Sequence, residues 1–203
     1  MNMKSILIQQ FKKPSGLLGK LAGYIMANRA SNIERNHWTI TLLDIAPGER
    51  ILEIGFGPGI AIEELSQTIS TGRIFGIDHS ETMLKQASKR NRDAINDKRV
   101  SLSLISVDEV DSLNQKFDKI LSANVVQFWP DPLVSFQHLY DILNIGGTIA
   151  TTFMPRMKGA TKQDAIDMSK RIENNLSHSG FKNIRTELRE FGDMAAVCVL
   201  AEK

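Results

Sequence analysis

The sequence predicts an α/β fold: a doubly wound sheet of seven strands, with a terminal hairpin and a helical extension before the first strand. Three observations carry this. From residue 50 onward, short apolar runs alternate with amphipathic helical runs. That alternation means right-handed crossovers and a parallel sheet covered on both faces. The first apolar run, RILEIG, leads through a glycine-rich turn into a helix. The last two runs, NIRTELREF and MAAVCVLAE, are joined by GD, so one of them must run antiparallel to its neighbour.

The elements follow in order. Residues 1–48 read as a helical, basic extension or cap, with Lys4, Lys12, Lys13, Lys20, Arg29 and Arg35. SGLLGKLAGYIMANRA and SNIERNHWTITLLDI suggest two helices, with Ser31 or Asn32 as the cap between them. APGE breaks the pattern, and residues 49–203 form the main domain. RILEIG is the first strand, and GIAIEELSQTIS a helix with Ile60, Ile62, Leu65 and Ile69 along roughly one face. GRIFGID is the second strand, and Ser80 starts a helix over SETMLKQASKRNRDAI. VSLSLIS and FDKILSAN are strands three and four. Asp131 and Pro132 open the next helix. GGTIATTF is the fifth strand, followed by a helix over TKQDAIDMSKRIENNL and then the hairpin.

Composition narrows the function. A net charge of +2 over 203 residues does not imply nucleic acid. No run reaches the roughly 20 apolar residues of a membrane span, and the first residues lack a signal peptide's cleavage site. The lone Cys198 lies in the apolar run AAVCVLA and reads as a small buried hydrophobe in a reducing, cytoplasmic compartment. No His, Cys or carboxylate cluster has metal-ligand spacing.

The turn ILEIGFGPGI names the chemistry. A dinucleotide site needs G-x-G-x-x-G. Gly55 and Gly57 fit, but the third position is Ile60, and the third glycine arrives one residue early at Gly59. That spacing rejects a dehydrogenase. The remaining ligand class is a nucleoside carrying a zwitterionic amino-acid tail, whose ammonium wants a carboxylate near the turn. Glu53 is there, in a strand where an unpaired carboxylate is costly. Asp78 closes the second strand, where an acid can accept both hydroxyls of a ribose. Ser106, Val107 and Asn124 also fall at strand carboxyl ends.

On these residues the chain resembles the class I S-adenosylmethionine-dependent methyltransferases, and within them the small bacterial enzymes similar to the quinone-biosynthesis branch. The motifs are LEIGFGPG, GIDHS with Met83, ISVDEV, FDKILSANVVQFWPDP and LNIGGTIATTF, and SGFKNI before the hairpin matches the family's ending. The resemblance implies a Rossmann-like seven-stranded sheet with its last strand antiparallel. It implies S-adenosyl-L-methionine as cofactor and S-adenosyl-L-homocysteine as product. It places Glu53, Gly55, Phe56, Gly57 and Gly59 at the methionine part and Asp78 at the ribose. His79 and Met83 would lie beside ribose and adenine, Ser106 and Val107 by the adenine, and Asn124 and Val125 at the sulfonium end. Many members carry Asp where this chain has Ser106, so the adenine contact is weaker or passes to Asp108.

The acceptor expected is a small molecule or lipid-like compound. Its walls are expected from the N-terminal helices and the loops VVQFWPDP and FMPRMKGATK, with His37, Trp38, Phe128, Trp129 and Met154 as candidates. No catalytic residue is assigned. His37 is the candidate base, and its plainer reading is a structural histidine, as for His138 and His178. The chain reads NVVQ after the fourth strand rather than the N-P-P-aromatic sequence of base methylators, which argues against a flipped base. The basic N-terminal helices suit a solvated face, attraction of an anionic acceptor, or peripheral membrane contact. The competing reading is a catalytically silent cofactor-binding or interaction protein of the same fold.

Overall fold

The computed structural model describes residues 29–203 except Lys158, together with Gly16, Gly19, Leu21, Gly23 and Tyr24. The basic leader and the first expected helix fall almost wholly outside the described residues, and with them the membrane-contact reading. Seven strands form one sheet: β1 (Arg50–Ile54), β2 (Arg73–Asp78), β3 (Val100–Leu104), β4 (Phe117–Ala123), β5 (Leu143–Phe153), β6 (Lys182–Phe191) and β7 (Met194–Glu202). Their order is β3-β2-β1-β4-β5-β7-β6. Neighbours are parallel from β3 to β5, and β7 lies antiparallel to both β5 and β6. The chain therefore winds outward from β1 to β3, then returns across β1 to β4. That reversal opens a crevice at the strands' carboxyl ends, where open sheets bind ligands.

Among the described residues six α-helices with given bounds cover the two faces: α1 (Ala30–Leu42), α2 (Ile60–Thr68), α3 (Glu81–Arg90), α4 (Arg92–Asn96), α5 (Pro132–Ile142) and α6 (Lys162–His178). Their starts follow the sequence. Ser80 Oγ accepts from the Met83 amide at 3.3 Å. Asp131 accepts from the amides of Leu133 and Val134, with Pro132 at the first helical position. Thr161 and Asp164 form a reciprocal capping box at α6.

Three departures from the sequence reading have local causes. The helix expected to run to Ile95 breaks at Asn91, whose side-chain amide donates to Gly59 O and Ala87 O, both at 3.0 Å. Asn91 is thus recruited to brace the glycine turn. The start of α1 is at Ala30, with Arg29 at the cap position and no side-chain cap bond, so neither Ser31 nor Asn32 is the cap. Those two side chains bond to Arg156 instead. Finally, a 3-10 turn over Val107–Leu113 follows β3, closed by a capping box between Ser106 and Glu109.

The two cores divide by strand alternation. Ile51, Phe56, Ile62, Leu65 and Met83 pack together with Trp38 from α1. On the other face Leu52, Ile54, Phe117, Phe136, Leu139 and Ile172 pack together. The α1 helix is also fixed by a buried hydroxyl pair, Thr39 Oγ1 to Thr152 Oγ1 at 2.7 Å. Cys198 is buried as expected, and burial pushes its thiol up to about 12. No helix among the described residues is long and apolar enough to cross a membrane.

Candidate functional site

The glycine turn leaves β1 at the switch point. Gly55, Gly57 and Gly59 all have positive φ. A Cβ at Gly55 would strike Val125 Cγ1 at 2.4 Å, so the turn and the end of β4 touch. Gly59 and Gly57 differ in what surrounds them. A Cβ at Gly59 would meet Ala87 Cβ at 2.8 Å and its backbone Cα at 2.9 Å, whereas one at Gly57 would meet nothing within 4 Å. Gly59 serves packing against α3, and Gly57 faces open space in which a ligand can approach the backbone. Gly59→Ala should therefore cost roughly 2–5 kcal/mol of stability, from left-handed strain plus overpacking. Gly57→Ala should cost only about 1 kcal/mol yet obstruct ligand binding. Urea unfolding of both variants beside a ligand titration checks the contrast.

Asp78 ties this turn to β2. Its Oδ2 accepts from the Gly57 amide and its Oδ1 from the Ser80 amide, each at 2.9 Å. Burial raises its pKa against the pull of these two bonds. Glu53 sits between Gly76 of β2 and Leu121 of β4 in the sheet register. It is 4 % exposed, and its Oε2 has no hydrogen-bond partner among the described residues. Burial, then repulsion from Asp78, pushes its carboxyl up to about 8; Arg35 and a bond from the Ile62 amide act the other way.

Around these acids the expected residues spread unevenly. Met83 is buried beneath the site and His79 is exposed beside it. A Cβ at Gly23 would meet Met83 Cε at 2.7 Å, so Gly23 lies against α3. Phe56 is a core side chain against the position of Gly76, so only its backbone belongs to the turn. Ser106 spends its amide and hydroxyl on Glu109 Oε2, both at 2.9 Å. Val107 is buried beside it, and Asp108 accepts from Ser135 Oγ at 3.0 Å. Asn124 holds a left-handed conformation with φ 58. Its side chain bonds reciprocally to the Met154 backbone, at 2.8 and 2.7 Å, and so clamps the end of β4 to the end of β5.

The acceptor-side residues divide. Phe128 and Trp129 are half-buried after β4, Trp129 edge-on to Phe136 at 5.0 Å. Trp38 is a core residue, 5.8 Å from Phe191, and Met154 is fully buried. His37 is exposed and pairs with Glu64 on α2. His138 pairs with Asp111, and His178 bonds to Asn174 O.

Two arginines stand where the sequence reading placed none. Arg35 is 6 % exposed, with Nη2 donating to Asn36 Oδ1 at 2.9 Å and a buried Nε that has no hydrogen-bond partner among the described residues. Burial, then repulsion from Arg156, lowers its pKa to about 9, while Glu53 supports its charge. Arg156, in the loop after β5, reaches Ser31 Oγ at 3.0 Å, and burial and then Arg29 lower it to about 10. Both guanidiniums converge on Asn32 Oδ1. The signal for Arg35 was positional: with Trp38 and Thr39 it lies on the buried stripe of α1.

A family model described as a methyltransferase domain matches residues 51–147. YdaC of Bacillus subtilis (strain 168), an uncharacterized methyltransferase, is 32 % identical over 183 residues, spanning 90 % of this chain and 98 % of that protein. The chain is a class I S-adenosylmethionine-dependent methyltransferase. Phosphoethanolamine N-methyltransferase 2 of Caenorhabditis elegans is 27 % identical over 154 residues, covering 71 % of this methyltransferase but 35 % of its relative. In fold, an S-adenosylmethionine-dependent methyltransferase from Aquifex aeolicus superposes with a TM-score of 0.72 at 16 % identity, over 90 % of this chain and 97 % of that one. The family's cofactor is S-adenosylmethionine, and the residues present fit it. A buried carboxyl oxygen lacks a partner among the described residues, an acid closes β2, and the turn between them leaves space at Gly57.

Proposed function

We propose that this methyltransferase acts on a small-molecule or lipid-like acceptor, seated between α1 and the loops that follow β4 and β5. The observation that carries the reading is the opposed pair Glu53 and Arg35. Both are buried, each has an unpartnered polar atom, and each feels the other's charge. A zwitterionic tail answers both, with its ammonium at Glu53 and its carboxylate at Arg35. When bound, the cofactor supplies an electrophilic methyl group on a sulfonium.

The chain's own residues bind, orient and exclude water. In this reading Asp78 receives the ribose hydroxyls while still holding the Gly57 amide. His79, Met83, Ser106 and Val107 border the nucleoside, with Val107 supplying apolar contact. Asn124 acts through the backbone it fixes, since its amide is committed to Met154. With Val125 it sets the distance between the turn and the acceptor loops, and alignment of that kind supplies much of the rate in a displacement. Phe128 and Trp129 provide the aromatic border. A base is needed only if the acceptor must lose a proton first. His37 is exposed and paired with Glu64, and this reading gives it no role as a base. The relative named for phosphoethanolamine supports a small polar acceptor, and the lone buried thiol suits a cytoplasmic setting.

The test is a calorimetric titration with S-adenosylmethionine and S-adenosylhomocysteine, with NAD as control, followed by an acceptor screen using labelled methyl donor. Micromolar binding and transfer of label to a small acceptor are expected. Label passing only to protein or nucleic acid would overturn the acceptor reading.

A further inference from the structure

Arg35 and Arg156 meet at Asn32, with Arg29 near enough for its charge to lower the Arg156 pKa, and no carboxylate among the described residues lies within ion-pair distance of any of the three. Like charges held this close are costly without an anion between them. Here two guanidiniums share one neutral oxygen, Asn32 Oδ1. The first turn of α1 carries no acid and its cap no side-chain acceptor, so the positive end of that helix adds to the field. The arrangement is nonetheless built to stay. Ser31 and Asn32 grip Arg156, Asn36 grips Arg35, and Asn124 clamps the strand end two residues before Arg156.

The cofactor does not balance this charge. Its tail brings one ammonium and one carboxylate, which cancel, and its sulfonium adds a further positive charge. On the reading above, its carboxylate answers Arg35 and leaves Arg156 beside Arg29. We infer that Arg156, with Arg29, binds an anionic group of the methyl acceptor, a carboxylate or a phosphate, and so selects acceptors that carry one. A guanidinium suits either anion through paired N–H donors. Exposed Ile33 and Met157 each adjoin a member of the Asn32–Arg156 contact and give the rest of the acceptor an apolar rim.

The inference rests on the cofactor reading, and the experiment separates the two. S-adenosylhomocysteine-loaded protein is titrated with inorganic phosphate and, separately, with benzoate, at ionic strength held constant with chloride, and binding is read by calorimetry. Wild type, Arg156→Gln, Arg29→Gln and the exposed α6 control Arg171→Gln are compared. Saturable binding of at least one anion is expected in wild type and in the control. It should weaken about tenfold or more in Arg156→Gln, the loss expected for a charge-assisted pair, and by a smaller factor in Arg29→Gln. S-adenosylhomocysteine affinity should stay within about threefold of wild type in all three variants. The better anion identifies the acceptor's group. No saturable anion binding by loaded wild type, or equal binding by Arg156→Gln, overturns the inference. If Arg156→Gln does not fold, unchanged anion affinity in Arg29→Gln overturns it. Failure of wild type to bind S-adenosylhomocysteine at all sinks the cofactor reading instead.

Discussion

Asp78→Ala is expected to bind S-adenosylhomocysteine roughly a hundredfold or more weaker than wild type. Two losses combine. The carboxylate that would accept the ribose hydroxyls disappears, at about 1.5–3 kcal/mol for each charge-assisted bond. The glycine turn also loses its tether, because Asp78 holds the Gly57 amide on one oxygen and the Ser80 amide on the other. Asp78→Asn is the sharper variant. It keeps the shape but turns one acceptor into a donor facing an amide N–H, so it should fail nearly as badly. Both should remain folded with a modest fall in melting temperature, since the tether lies at the rim of the core. Calorimetry on folded protein decides the matter. Affinity within about threefold of wild type in Asp78→Ala would remove Asp78 from the site and leave it a loop brace.

The parts of the site legible in the sequence were those whose job is done by backbone geometry. The glycine spacing told a nucleoside with an amino-acid tail from a dinucleotide because the third glycine stands at Gly59 and not at position 60, and the structure uses Gly59 for close packing on Ala87 while Gly57 faces space. Strand alternation put Glu53 on a covered face, and burial there is what made its carboxylate informative. The short GD turn required one antiparallel strand in the terminal hairpin, the family resemblance put it last, and β7 is that strand. Side-chain partnerships between distant segments were not legible. Nothing near Ser106 announces that Glu109 takes up its hydroxyl, nor near Asn124 that Met154 takes up its amide. Trp38 and Met154 look like pocket walls in one dimension, and the sheet packs both into the core. Ser31 and Asn32 have the right residue types for a helix cap, but Arg156, more than 120 positions away, outcompetes the helix for their oxygens. The charged corner therefore exists only in three dimensions. A basic count over residues 1–48 leaves a solvated face, an anionic acceptor and a membrane surface all open, and it does not include Arg156.

Cofactor binding should release a proton and strengthen as pH rises from 6 to 8. Before an ammonium reaches it, the Glu53 carboxyl is pushed up to about 8, by burial first and by Asp78 second. It is therefore mostly protonated at neutral pH. An ammonium placed at Oε2 favours the ionised form, so binding must expel the proton. Affinity should gain up to about tenfold per pH unit below the folded pKa and level off near 8. The same shift makes a stability prediction with a definite sign. An unfolded Glu titrates near 4.3, so between there and about 8 the folded chain holds the extra proton. Stability from this group is full at acid pH and declines as pH rises through that window. Glu53→Gln removes the decline. The variant should be less sensitive than wild type to a change from pH 6 to 8 in urea unfolding, while its affinity for S-adenosylhomocysteine is both lower and flat with pH. Calorimetry in two buffers of different ionisation enthalpy reads the proton directly. A wild-type heat independent of buffer at pH 7, with a flat affinity from 6 to 8, would mean that Glu53 is already ionised and held so by Arg35.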